Sequence, residues 1–340
     1  MRECKDGGRG ATFARVTSAP HILPLFVDIA KALLADRRWF DDRTVLRYSA
    51  MALMFAPEPS VALTQRVRAA ADAVVADASW FSGLRTSLRL VLAAQAIAAG
   101  IEPRTFVTES HELRERFRKA GLRRAVDHGW IAAAMLRLAG ATSAQDVARL
   151  AEIYAAMKTH HWWLTGPEDL PACALLVVHG GDLGYLAPRI ETIYAGLRQA
   201  GMPARDGVQT ASHVLALARG SESEVVTRFV ALDRGFTADG VAMWDCDRDE
   251  LAMLCLLDEP PATTIERVRE HRAHLRRELG AIGPVTSFSL ACGTAFLTGM
   301  AGRPRDRHYE GDRDAANLLL AANAAAHLTQ QRAAAAAAAS

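Results

Sequence analysis

The sequence predicts an all-α protein made of helical hairpins that recur about every forty residues. Three observations carry that expectation. First, composition favours helix: of 340 residues half are apolar and only 6% aromatic, Ala, Leu and Arg dominate, and runs of Val, Ile and Thr are scarce. Second, Trp39, Trp80, Trp163 and Trp244 each precede a polar turn and then an apolar segment, at steps of 41, 83 and 81 residues. The longer steps are about twice the first, and apolar units starting at Gly121 and Gly201 fill the gaps, with a further unit at Gly280. Third, wholly apolar segments alternate with amphipathic ones. A period near forty belongs to paired-helix repeats, in which one hairpin cannot bury its own apolar face and neighbours must stack.

Each element follows in order. Residues 1–20 are rich in Gly and charge and are expected to be a frayed tail. The first hairpin starts with "LPLFVDIAKALLADRRW" at Leu23, and the last apolar helix ends near Gly299, which leaves room for about seven hairpins over a repeat domain of residues 21–300. Between the apolar rods lie segments such as "SAQDVARLAEIYAAMK", which puts Val147, Leu150, Tyr154 and Met157 on one face and Arg149, Glu152 and Lys158 away from it. "LAPRIETIYAGLRQAG" repeats this with Ile190, Ile193, Tyr194 and Leu197, and "EVVTRFVALDRG" and "TIERVREHRAHLRREL" follow. The apolar helix of each pair is therefore central and the amphipathic one peripheral. An open superhelix and a closed α/α toroid both satisfy the pattern. Residues 301–330 read as a charged linker and an end-capping helix, and 331–340 as an Ala-rich low-complexity tail.

The densest stretch, "HHWWLTGPEDLPACALLVV" from His160 to Val178, reads as the way a helix begins. Thr165 with Glu168 forms a capping box, Gly166 and Pro167 suit a first turn, and acids at the N-terminus complement the helix dipole. Asp206 with Gln209 and Asp247 with Glu250 are expected to do the same in later units. His160 and His161 end the preceding helix, where a cation is favourable. Trp163 is expected to pack between a peripheral helix and the next central one.

Polar residues inside the apolar helices are more informative, because burying them is costly without partners. They include Arg43, Arg47, Tyr48, Arg85, Arg89, Asp127, His128, Asp169, His213, Ser287 and Ser289, mostly in the first two turns of successive central helices. In a tight arc or a toroid those turns converge. Arg85, Arg89, Asp127, His128, Asp169 and His213 are the candidate ligand-binding residues, suited to an anionic ligand; paired structural charges or solvent-facing first turns are the plainer account.

Other chemistry finds little support. "DCDRDE" from Asp245 has alternating acids but lacks the Gly of a calcium loop, and Leu256 stands where the last ligand should be. Its loose likeness to the acid-rich motif of terpene cyclases lacks the aromatic residues such a cavity needs. His271 and His274 are three apart on a peripheral helix and read as a solvated face. No Walker loop, dinucleotide fingerprint, zinc-protease motif or nucleophile elbow occurs. No metal and no cofactor is expected. The five cysteines are Cys4, Cys173, Cys246, Cys255 and Cys292, and the three in apolar runs read as small buried hydrophobes of a reducing compartment.

The segments "WWLTGPEDLPACALL", "RRWFDDRTVLRYSAMAL" and "ASWFSGLRTSLRLVLAA" resemble an uncharacterised bacterial family, the domain of unknown function numbered four thousand and three. The resemblance covers about residues 20–300 and implies a helical fold, without activity, cofactor or catalytic residues.

Net charge is +2 with both signs interspersed, so no nucleic-acid surface is expected. No apolar run reaches the roughly 20 residues of a membrane span, and the N-terminus lacks the apolar stretch of a signal peptide. The expectation is a cytoplasmic helical-repeat protein whose concave surface binds a protein or peptide partner. The alternative is an enzyme of α/α-toroid type with a polar pocket at the start of its central helices. Whether it is an enzyme, and its oligomeric state, stay open at this point.

Overall fold

A computed structural model describes residues 22–301, apart from 40, 55, 57, 78–87, 123–126, 162–165, 181–182 and 242–246. The described residues are all-helical. Long amphipathic helices alternate with shorter apolar ones: α1 (Ile22–Ala35), α2 (Arg43–Leu53), α3 (Ser60–Asp77), α4 (Leu88–Ala98), α5 (Pro103–Lys119), α6 (Asp127–Leu138) and α7 (Ala144–His161). The 3₁₀ turn Pro167–Asp169 then leads into α8 (Leu170–Val178), followed by α9 (Leu183–Gln199), α10 (Asp206–Leu215), α11 (Glu222–Ala238), α12 (Asp247–Cys255), α13 (Pro261–Leu279) and α14 (Pro284–Ala301).

The two kinds of helix bury themselves differently. In α2 every residue from Val45 to Leu53 is buried, and in α8 every residue from Leu170 to Val177. In α11 only the stripe Val225, Phe229, Val230, Leu232 and Phe236 is buried. The first kind is the core and the second its cover. Each cover helix packs against the core helix that follows it in sequence, and core helices pack on core helices, as α2 on α4, α6 on α8 and α10 on α12. The amphipathic faces read from sequence are the buried ones: Leu150, Ile193 and Leu197 are fully buried, and Val147, Met157 and Ile190 nearly so. Arg149 departs from that reading, since Nε and Nη2 of its guanidinium are buried.

The turns carry a period of their own. Gly100, Gly140, Gly180 and Gly220 follow core helices at 40-residue steps, all with positive φ. After α6 the N–H of Gly140 donates to Arg137 O and that of Ala141 to Leu136 O, a left-handed C-cap that satisfies the last carbonyls of a helix and that only Gly enters without a steric cost. Gly201 does the same after α9, with Met202 N–H donating to Leu197 O. A second period lies on the cover helices. Arg149, Arg189, Arg228 and Arg267 stand 40, 39 and 39 residues apart. Arg189 donates from Nε to Ala216 O and from Nη2 to Ala218 O and Gly220 O, each at 2.9 Å. Arg228 donates to Cys255 O, also at 2.9 Å. These guanidiniums clasp the carbonyl ends of α10 and α12, which a helix leaves unsatisfied.

Trp39, first of the tryptophan series, is 88% exposed where the chain reverses between α1 and α2; Trp163, expected as an anchor, lies with Trp80 and Trp244 outside the described residues. Among the described residues Trp130 of α6 belongs to the core, fully buried with the Arg114 guanidinium 4.4 Å over its ring. His271 is buried rather than solvated, and its Nδ1 lies 3.0 Å from Thr294 Oγ1 of α14. Since Thr294 Oγ1 donates to Leu290 O, His271 Nδ1 is the donor, and burial holds the imidazole neutral by pushing its pKa down to about 4.

Candidate functional site

The starts of the core helices collect buried polar side chains, and their partners fall into clusters. On α2, Asp42 caps the helix, its Oδ1 accepting from Thr44 N–H at 2.8 Å and Val45 N–H at 3.0 Å. Its neighbour Asp41 is fully buried between two guanidiniums, Arg68 of α3 and Arg89 of α4, the latter 3.6 Å away. Arg68 also reaches Asp36 Oδ2 at 2.9 Å and Asp36 O at 2.8 Å. Burial pulls the Arg89 guanidinium below its usual value, with Asp41 and Asp72 opposing.

A second cluster joins the two ends of the chain. Tyr48 OH of α2 lies 2.8 Å from Ser289 Oγ of α14, and Ser289 Oγ donates to Glu250 Oε1 of α12 at 2.7 Å. With its one proton committed to the carboxylate, Ser289 must accept from Tyr48, so the three side chains form a directed chain that ends on Glu250. All three are buried. Arg248 on the same turn of α12 is buried and acts on the half-buried Asp233 of α11, whose carboxyl is raised by burial and drawn back by this guanidinium.

A third cluster lies at α8. Asp169, 2% exposed, accepts from Gly166 N–H at 2.9 Å and from Thr210 Oγ1 of α10 at 3.5 Å. Its charge helps to raise the pKa of the fully buried Cys173 thiol, for which burial is the larger cause. Cys255 is likewise buried, its thiol pushed up to about 12. Both behave as small hydrophobes rather than thiolates.

The candidates from sequence therefore separate. Arg89 belongs with Asp41 and Arg68, and Asp169 with Gly166 and Thr210. His213 is buried on α10, and His128 is half-buried at the start of α6. Asp127 opens α6, but its side chain, like Arg85, lies outside the described residues. The capping reading is also revised. Arg205, not Asp206, is the N-cap of α10; Glu250 accepts from Ser289 of α14, and the Asp247 side chain expected to cap with it lies outside the described residues. At α8 the acid that reaches back to the turn is Asp169; Thr165 and the Glu168 side chain lie outside the described residues. Asp41, Arg68 and Glu250 were not legible as site residues, because an acid ahead of an apolar run looks the same whether it caps a helix or crosses to another.

Two cavities lie away from these clusters. One of about 390 Å³ is lined by His179, Tyr185, Arg189, Arg219 and Leu256 at the opposite ends of the core helices. One of about 300 Å³ lies between α11, α13 and α14, with Phe236 and Phe288 beneath Arg269, Arg272 and Arg276. No group of three or more potential metal ligands occurs among the described residues, and none of their helices is by itself long and apolar enough to cross a membrane.

Fold and site together define an all-helical protein whose core helices carry buried polar groups at their starts. The family model of DUF4003, a protein of unknown function, matches residues 31–298. The chain belongs to that family. A curated relative, the uncharacterized protein YeaA of Bacillus subtilis strain 168, is 30% identical over 114 residues. That match spans 33% of this chain and 34% of the relative. No solved structure matches the chain.

Proposed function

We propose that the chain closes into an α/α toroid of seven hairpins and binds a small polar ligand at the end of the ring where the core helices start. Closure is supported by contacts between the first and last hairpins. α13 packs on α1, and α14 on both α1 and α2. Lys31 Nζ lies 2.8 Å from Glu278 Oε2, and Tyr48 OH 2.8 Å from Ser289 Oγ. An open arc offering a long groove to a peptide would keep those hairpins apart, which counts against the scaffold reading.

The observation that carries the ligand reading is the polar content of these starts: Arg47, Arg89, Asp169, Gln209, Arg248, Glu250 and Ser289 are all buried, while the buried His213 lies in the last turn of α10. Buried polar groups in such number are costly unless they serve each other or a ligand. In an enzyme built on this frame, the Tyr48–Ser289–Glu250 chain is the group that would relay a proton, since a directed O–H chain ends there on a carboxylate.

Two measurements test the proposal. A zero-length carbodiimide crosslink in dilute protein should join Lys31 to Glu278 within one chain, read by peptide mass spectrometry. A thermal-shift panel should find stabilisation by small polar metabolites and none by extended peptides. Only intermolecular crosslinks, or stabilisation confined to peptides, would return the scaffold reading to first place.

A further inference from the structure

Five arginines are buried among the described residues: Arg47, Arg68, Arg89, Arg189 and Arg248. Three form ion pairs: Arg68 with Asp36 and Asp41, Arg89 with Asp41, and Arg189 with Glu222 at 2.9 Å. Arg248 acts electrostatically on the half-buried Asp233 and makes further contacts. Arg47 differs. It is 6% exposed, its Nε is buried without a hydrogen-bond partner, and no described ion pair reaches its guanidinium. The acid that acts on it, Asp42, has Oδ1 committed to Thr44 and Val45 N–H.

The charges around Arg47 do not neutralise it. Burial lowers its pKa, the neighbouring Arg43 lowers it further, and only Asp42 opposes. A guanidinium cannot shed its proton to escape such a site. A buried cation that stays charged and unpaired is costly, and the natural relief is an anion from outside. Arg43 stands one turn nearer the helix start on the same face and is exposed, so the pair offers one guanidinium at depth and one at the mouth. The eleven-residue α2 adds its positive dipole end. Tyr48, next in sequence, anchors this turn to Ser289 of α14, which holds it at the junction of the first and last hairpins.

We propose that Arg47, with Arg43 at its mouth, is an oxyanion site that takes the carboxylate or phosphate group of a small ligand. The site rests on the polar-end reading above and gives the ligand its charge. A guanidinium fork suits either group, because both present paired oxygens.

The test uses full-length protein and the variants Arg47→Met and Arg47→Lys, with inorganic phosphate and acetate as probes against chloride at constant ionic strength. Wild type should show a saturable rise in melting temperature with phosphate, acetate or both, and the stronger of the two names the group. Arg47→Met should fold at least as stably as wild type in chloride, because it removes an unpaired buried charge, and should lose the anion response by about tenfold or more in apparent affinity. Arg47→Lys should keep a weakened response, which separates charge from packing. An anion response unchanged in Arg47→Met overturns the site, as does an Arg47→Met variant markedly less stable in chloride. A neutral metabolite that stabilises wild type and Arg47→Met alike would overturn the oxyanion site while leaving the polar-end reading intact. Failure of the Lys31–Glu278 crosslink would strike at the ring instead.

Discussion

Removing Arg189 should cost this protein more than removing either of its repeat mates, and the order follows from what each guanidinium holds. Arg189 donates to three main-chain carbonyls, Ala216 at the C-cap of α10 and Ala218 and Gly220 in the turn after it, and pairs with Glu222. Each charge-assisted bond is worth about 1.5–3 kcal/mol where the acceptor would otherwise be buried and unmet. The site borders a cavity of about 390 Å³, so water can reach the freed carbonyls and the lower bound applies. Arg189→Ala should therefore cost about 3–5 kcal/mol. Arg228 holds one carbonyl, Cys255 O, and the more exposed Asp258, which gives about 1–2 kcal/mol for Arg228→Ala. Arg149 stands in the same register, but Nε and Nη2 are buried without partners. Arg149→Ala should lie within about 0.5 kcal/mol of wild type or be stabilising. Urea unfolding followed by circular dichroism measures all three. At about 2 °C per kcal/mol for a chain of this size, Arg189→Ala should also melt roughly 6–10 °C lower. If Arg149→Ala proves as damaging as Arg189→Ala, repeat position rather than the carbonyl clasp sets the stability, and the reasoning fails.

Three further outcomes are expected. A Cβ on Gly235 would meet Ile265 Cδ1 at 2.3 Å, whereas one on Gly196 would meet Val226 Cγ2 at 3.0 Å; Gly235→Ala should lose about 1–3 kcal/mol by overpacking, while Gly196→Ala stays near neutral because the helix gains about 1 kcal/mol of propensity, as chemical denaturation would show. His271 titrates near 6.5 when unfolded and about 4 when folded, so between those values the unfolded chain binds the extra proton and stability falls as pH falls. From pH 7 to pH 5 wild type should lose about 2 kcal/mol more than His271→Gln, and equal losses in paired urea titrations would discount the buried neutral imidazole. Asp41→Ala takes the buried carboxylate from Arg89 and leaves Arg68 only Asp36, and should cost about 3 kcal/mol, against under about 1 kcal/mol for Asp72→Ala, whose partner Arg38 is half-exposed at the surface; calorimetry of the two variants gives the ratio.

The order of the helices was legible in the sequence because it rests on local physics. Leu150, Ile193 and Leu197 recur at helical spacing, and that spacing alone places them on the buried stripe of a cover helix. The uninterrupted apolar runs of α2 and α8 likewise announce helices covered on most sides. Glycine turns such as Gly100 and Gly140, and the Ser221–Glu224 capping box, mark helix ends by contacts within the local chain. Partner choice is a different matter. Glu250 has the sequence spacing of a helix cap, yet it takes its proton donor from Ser289, 39 residues on. His271 sits in a run of charge and reads as wet, yet it turns inward to Thr294. In each case the deciding contact lies on another helix, and which face a polar or aromatic side chain turns to that helix depends on how the hairpins are rotated against one another. Hydrophobic periodicity fixes what a helix must hide; only packing in three dimensions decides which of its polar groups are hidden with it, and which, like Arg47, are hidden without a described ion pair.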